Sequence, residues 1–462
     1  MSDNEKQQYT RRDFIKQNSI FGAGAVLSMG AAPSLFARRS AQGNDRPAIL
    51  GGEPARSASW PRWPIWNPET DEERVIETIR SGVWSRAGVV SEFEEKWAET
   101  IGTKRCMTTV NGTNALIVAL ANLDIGAGDE VLLPAYTFIA TPQAILQNGA
   151  IPIFVDIDPV TFQMDVDLIE EKITERTRAI MPVHILGIPS DMPRIMEIAE
   201  RHDLKVVEDA CQGWLAEING QKVGTFGDAG CFSFQNSKHI PMGEGGAIVS
   251  DDDEFMDRCF SYHNYGNPYG SVQGAPGLGS LRLGTKVRLT EYQAAIGLAQ
   301  LKRLDEQTTT RSENAAYLRS QIIDIPGIEP YTLPDYVTRA VFHLFPFRYK
   351  KEEFNGLSRN NFLRALRAEG VPCSQGYIPL NKMPFLESAF NSKNFRAMYP
   401  PELLDIDSYN ERNQCPQNDI ICNEEAVWFT QSMLLGSRAD MRDIAAAIEK
   451  IYNHSEEISS QV

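Results

Sequence analysis

The sequence predicts an α/β protein built on a mostly parallel sheet, with a smaller α+β domain following it. Three observations carry this. Between residues 105 and 208, short apolar runs alternate with stretches of helical period, the pattern of strands joined through crossover helices. Polar turns holding glycine, hydroxyl or charged residues follow those runs, where an open sheet places its ligands. Beyond about residue 306 the alternation stops and the composition becomes mixed.

Taken in order, the chain opens with Thr10-Arg11-Arg12-Asp13-Phe14-Ile15-Lys16, a mildly apolar run from Ile20 to Leu27, and small residues up to Ala37. This resembles a twin-arginine export signal, so residues 1–45 read as signal and linker and the protein is expected in the periplasm. An incidental arginine pair on a cytoplasmic protein is the competing reading. The apolar run is too short and too rich in glycine and alanine for a stable membrane span.

Residues 48–64, rich in Gly, Pro and Trp, read as an extended arm. Helices fit 72–81 and 92–100, strands 105–110, 130–133, 151–155, 179–183 and 205–208, and helices 113–123, 139–147, 166–173 and 192–201. The run 290–306 reads as one helix, with Ala294, Ala295, Leu298, Leu301 and Leu304 along one side. Strands are expected over 342–349 and 371–377 and helices over 359–369 and 439–451, while 391–417 is polar with no period. The expected partition is a large domain with its arm over 46–305, a small domain over 306–454 and a tail over 455–462.

A chain of 462 residues can bury a large core. Its net charge of -16 argues against nucleic acid and anionic membrane surfaces as partners. Seven cysteines without paired CxxC spacing give no disulfide framework or zinc site, and six histidines without HExxH give no metallohydrolase signature. No metal ligand set is expected.

The chemistry gathers in four clusters. In Asp228 to Ser250, an apolar run with Ser233 leads through a polar turn holding Lys238 into Gly243-Glu244-Gly245-Gly246 and a second apolar run. A lysine desolvated there loses basicity and can form a Schiff base with a carbonyl; a snorkelling surface lysine is the plainer reading. Asn111-Gly112-Thr113 turns a strand end into a helix start, whose free amides suit a phosphate, although Gly-Thr also makes an ordinary helix cap. Tyr136-Thr137-Phe138 offers an aromatic face to a flat ring, or packs in the core. Asp209 stands just past an apolar strand, with Gln212 one turn on, and could face a protonated pyridine nitrogen or cap a helix. Together these are the needs of pyridoxal 5'-phosphate. GxGxxG after the first strand and GxxxxGK[ST] are both missing, which disfavours dinucleotide and P-loop readings.

NGTNALIVAL, GAGDEVLLPAYTFIAT, GAIPIFVDID, VVEDACQGW, CFSFQNSKHIPMGEGGAIVS and RLTEYQAAIGLAQLKRLD stand in the order of the blocks of DegT/StrS-type sugar aminotransferases, and the chain resembles that family from Leu50 to Tyr452. The resemblance implies the fold type I architecture of pyridoxal-phosphate transferases, with a mostly parallel seven-stranded sheet and a homodimer with sites near its interface. It implies that Lys238 carries the cofactor as a Schiff base and Asp209 pairs with the ring nitrogen. Gln212 would face the ring hydroxyl, Phe138 would stack on the ring, and Gly112, Thr113 and Ser233 would hold the phosphate. The family's Gly-x-Asn-x-Arg, which reaches the phosphate from the neighbouring subunit, reads Gly284-Thr285-Lys286-Val287-Arg288 here, so Lys286 would make that contact as a point charge. LGGEPARSASWPRWP, SFQNSK and GYIPLNKMPF look closest to cyclitol aminotransferases and aminohydroxybenzoate synthases.

The expected activity is amino transfer from glutamine or glutamate to a keto-sugar or ketocyclitol. Two rivals are a dehydrating, aromatising synthase on the same cofactor and a non-catalytic sensor on the same fold. A sensor would be expected to lose Lys238 or Asp209, and both are present.

Overall fold

In the computed structural model, which describes residues 45–268 and 282–461, seven strands form the main sheet. They are β1 (Arg105–Thr109), β2 (Glu130–Pro134), β3 (Ile151–Val155), β4 (Thr177–Ile180), β5 (Lys205–Asp209), β6 (Ala229–Ser233) and β7 (Gly246–Ser250), in the order β1-β7-β6-β5-β4-β2-β3. Strands β2 to β6 pair in parallel, and β7 runs antiparallel to both neighbours. All residues of β2, β3, β6 and β7 are buried, because helices cover both faces of a parallel sheet.

The helices α1 (Pro68–Ser81), α2 (Gly88–Ile101), α3 (Gly112–Asn122), α4 (Ala140–Gln147) and α5 (Met192–Arg201) fall within a residue of the stretches that the apolar period predicts, or extend them, and α6 (Asp253–Tyr262) is a helix that the sequence reading did not include. Asn67, Asn111, Asp191 and Asp252 each accept a main-chain N–H at a helix start, and Pro68 and Met192-Pro193 occupy first-turn positions that lack an intrahelical partner in any case.

Four expectations are corrected. The run 290–306 is two helices, α7 (Glu291–Leu301) and α8 (Leu304–Ile322). The chain breaks at Arg303, whose guanidinium is engaged by Asp71 and the Ile65 carbonyl. The apolar stripe runs across the break, so its period alone hides it. The stretch 166–173 is a 3-10 turn (Val166–Leu168) followed by one short helix (Ile169–Lys172). The stretch 371–377 is not a strand but makes a single bridge from Ser374 to Trp428. Pro372 has no N–H to donate, and the Gln375 carbonyl accepts from Arg359. Finally, 391–417 contains the helices Lys393–Met398 and Ile406–Arg412 and the start of Pro416–Ile420.

A second, antiparallel sheet orders β8 (Ile328–Pro330), β9 (Leu344–Tyr349) and β10 (Ala426–Thr430) side by side, covered by α9 (Arg359–Ala368) and α10 (Arg438–Asn453). Two pieces of chain cross between the two cores. The N-terminal arm packs Ile49, Leu50 and Trp60 on the second core, where buried Glu369 accepts from the N–H groups of Ala48 and Ala55. In return, Phe390, Phe395, Tyr399 and Tyr409 pack into the first core.

That return segment closes the sheet edge at β3. The Tyr409 hydroxyl donates to the Pro152 carbonyl at 2.6 Å, and the Phe154 N–H donates to Asn413 Oδ1 at 2.7 Å. Side chains thus satisfy the outward groups that an exposed edge would leave open to another strand. Among the described residues no helix is long and apolar enough to cross a membrane. Residues 1–44, which hold the expected export signal, lie outside the described residues.

Candidate active site

The sequence-predicted clusters meet at the carboxyl ends of β5 and β6. Helix α3 starts at Gly112, capped by Asn111, whose side-chain oxygen accepts from the Asn114 N–H at 2.9 Å. The first N–H groups, those of Gly112 and Thr113, have no acceptor within the helix. A Cβ on Gly112 would stand 2.8 Å from both Cys211 Sγ and Ser233 Cβ, so only glycine brings this helix start against β6. Ser233 ends β6 with its hydroxyl beside the next turn, accepting from the Gln235 N–H at 3.4 Å. The result is a cradle of two free amides and two hydroxyls, fitted to a phosphate.

Asp209 ends β5 and is buried. The Thr141 hydroxyl donates to one carboxylate oxygen at 2.8 Å, and the Cys211 N–H to the other at 3.2 Å. Thr141 is itself 2.9 Å from the Thr137 hydroxyl. Among the described residues no ion pair holds this carboxylate, which suits it to a protonated ring nitrogen.

The chain beyond β6 extends the hairpin with β7, through bonds from the Phe234 N–H to Gly245 O and the Asn236 N–H to Gly243 O, and Lys238 sits in the turn. Burial of its ammonium pushes Lys238 below the ordinary lysine range, against the opposing pull of Cys211 and Asp209. Its Nζ lies 3.4 Å from His343 Nε2 and 5.7 Å from the Trp214 ring.

Behind the lysine lies a buried chamber. The rings of Trp214, His239 and His343 pack at 4.9 to 5.8 Å, and Arg311 donates through Nε to Gln431 at 2.8 Å. Both Nη atoms of Arg311, the Trp214 indole nitrogen, both ring nitrogens of His239 and His343 Nδ1 have no partner among the described residues. His343 arrives from the second core because the Leu186-Gly187 turn admits it. The Val341 N–H donates to Gly187 O at 2.8 Å, and a Cβ on Gly187, at φ 87°, would stand 2.7 Å from the main-chain nitrogen of His343.

The remaining predicted residues are placed unequally. Phe138 is half exposed, free to cover a ring, whereas Tyr136 is core and packs on Tyr377 and Phe162. Gln212 is buried; its oxygen accepts from the Leu186 N–H and its amide donates to Tyr377 Oη, both at 2.8 Å. Lys286 is exposed, in a bridge with Asn264 and 5.3 Å from the Tyr265 ring. Thr141, Tyr377, His343 and Arg311 were not singled out from sequence. Only Thr141 had a local signal, since it opens the helix after Tyr136-Thr137-Phe138.

The sheet order, with β7 antiparallel between two neighbours, belongs to the fold type I transferases that work with pyridoxal phosphate. Solved structures of that class cover most of the chain. The synthase of 3-amino-5-hydroxybenzoic acid superposes with a TM-score of 0.74 at 28% identity, over 87% of this chain and 100% of that one. An aminotransferase from Psychrobacter cryohalolentis gives 0.75 at 28% identity, over 86% and 100%. The L-glutamine:2-deoxy-scyllo-inosose aminotransferase of Streptomyces kanamyceticus is 32% identical over 426 residues, covering 89% of this chain and 98% of that protein. The chain belongs to the DegT/DnrJ/EryC1/StrS aminotransferase family, which it matches over residues 67–401.

Proposed function

We propose that this aminotransferase moves an amino group from glutamine or glutamate to the ketone of a ketocyclitol or keto-sugar, with pyridoxal 5'-phosphate carried on Lys238. The meeting of Asp209, Ser233 and the Gly112 helix start at the carboxyl ends of β5 and β6, with Lys238 in the turn that follows, is the observation that carries the cofactor reading. The donor and the ketocyclitol follow the name of the S. kanamyceticus relative.

Pyridoxal phosphate supplies, when bound, an aldehyde that accepts amino groups and a protonated ring that withdraws electrons. The chain supplies the rest. The Gly112 and Thr113 amides, with the Thr113 and Ser233 hydroxyls, hold the phosphate, and Phe138 covers the ring. Asp209, held by Thr141 and the Cys211 N–H, keeps the ring nitrogen protonated. Gln212, fixed by Leu186 and Tyr377, faces the ring hydroxyl. The Lys238 amine would hold the cofactor and, as a base made weaker by burial, would take the proton from the donor Cα.

A homodimer fits the exposed apolar residues Ile79, Val83 and Trp84 at the end of α1, and exposed Lys286 would reach the partner's phosphate. Export by residues 1–45 and a domain boundary near 306 complete the reading.

The test is the visible spectrum of the purified chain. A yellow protein that bleaches with glutamine, and a Lys238→Ala variant that does neither, are the expected results. A protein that stays colourless with added pyridoxal phosphate overturns the assignment. The likeness to 3-amino-5-hydroxybenzoic acid synthase supports a second reading, an aromatising synthase. An assay for aminated ketocyclitol against aromatic product separates the two.

A further inference from the structure

We infer that His343 is a positioning residue for Lys238, a neutral imidazole whose Nε2 lone pair gives the lysine amine direction without supplying a counter-ion. The inference rests on the reading of Lys238 as the reacting lysine.

The geometry places His343 Nε2 3.4 Å from Lys238 Nζ. A lysine N–H donated to Nε2 finds a lone pair there when the ring proton sits on Nδ1, the tautomer assigned to His343. Everything else facing His343 opposes a second proton. Lys238 and Arg311 are cations, His239 and Trp214 are the ring neighbours, and no carboxylate is among the charges that act on His343. Burial first, then the charges of Lys238 and Arg311, hold His343 well below the usual histidine range.

The choice of imidazole has a chemical reason. An aspartate or glutamate at this place would also orient the amine, but its charge would favour the ammonium and remove the lone pair that the reaction uses. A neutral imidazole orients and leaves the amine poised. The approach is deliberate in the backbone as well, since the close contact at Gly187 brings residues 341–343 to the lysine. His343 takes no proton in this scheme; it accepts a hydrogen bond.

Two measurements test it. Borohydride reduction of the full-length protein loaded with pyridoxal phosphate, followed by peptide mapping, checks the underlying reading: cofactor fixed anywhere but Lys238 defeats that reading, whatever His343 does. The second uses the cofactor-free full-length chain and follows acetylation of Lys238 by acetic anhydride against pH, peptide by peptide, in His343→Gln, His343→Leu and His343→Glu. The Glu variant is expected to move the midpoint upward by about one pH unit or more. With the cofactor loaded, glutamine should bleach the Leu variant roughly tenfold more slowly than wild type, and the Gln variant, which keeps an acceptor, should recover most of that loss. If the Leu variant does not fold, the Gln and Glu pair decides. Unchanged midpoints and bleaching rates across folded variants, or a Gln variant as impaired as Leu, overturn the inference while leaving Lys238 in place.

Discussion

Two buried charge clusters in this molecule solve the same problem in opposite ways. At the amino end of β2, the buried Glu130 carboxylate meets Arg176, Arg412 and the Thr174 hydroxyl. Burial alone would raise its pKa, yet the bonds from Arg412, Thr174 and Arg176 together hold it below the usual carboxylate range. At the other end of the sheet, half-buried Lys238 and buried Arg311 lie among rings with no ion pair among the described residues, and six nitrogen atoms of Arg311 and those rings have no hydrogen-bond partner there. A charge that serves the fold is saturated. A charge that serves chemistry is left unsatisfied, because a saturated lysine could not react.

The sharpest way to break this contrast is at Asp209, the carboxylate on the reactive side. Asp209→Ala should slow glutamine-driven bleaching by roughly a hundredfold or more, with cofactor still bound and the unfolding temperature little changed; a near-normal rate would take Asp209 out of the mechanism. Glu130→Ala should do the reverse. It leaves two half-buried arginines without their shared acceptor and should cost about 2 kcal/mol in denaturant unfolding, with the bleaching rate intact at a temperature where the variant is folded.

Acid should act on the histidines. Burial pushes His263 down to about 3, and His239 and His343 well below the usual value. Each takes up its proton in the unfolded chain first, so stability is complete above about pH 6.5 and falls as pH drops, by about 1.4 kcal/mol per pH unit for each histidine. Urea midpoints measured from pH 7 to pH 4 check this, and His263→Phe should flatten the slope by one histidine's share. The smallest effect is expected at Arg311. Arg311→Met replaces a buried guanidinium, whose one hydrogen bond goes to Gln431 and whose two Nη atoms have no partner among the described residues, with an apolar chain and should leave stability within about 1 kcal/mol of wild type, whereas a loss as large as that of Glu130→Ala would mean the two clusters are alike after all.

The main sheet was legible because each strand is a short apolar run closed by a turn, and Lys238 and Asp209 because a charge directly after such a run is conspicuous. Period fails where it does not change, as across the Arg303 break, and where a strand-like run contains Pro372. His343 was invisible for another reason. It stands 105 residues from Lys238, and nothing around it marks it out as facing a lysine until the Leu186-Gly187 turn brings the two together. Tyr377, which holds Gln212 from 165 residues away, is the same case.

The cover on β3 also sets an order in time. Phe154 must wait 259 residues for Asn413, and Pro152 257 residues for Tyr409. At the ordinary pace of synthesis that is on the order of ten to fifty seconds during which a nascent chain carries an open parallel edge. A ribosome stalled between β3 and residue 409 would therefore present a strand ready to pair with another chain, and chaperone dependence should concentrate in that window.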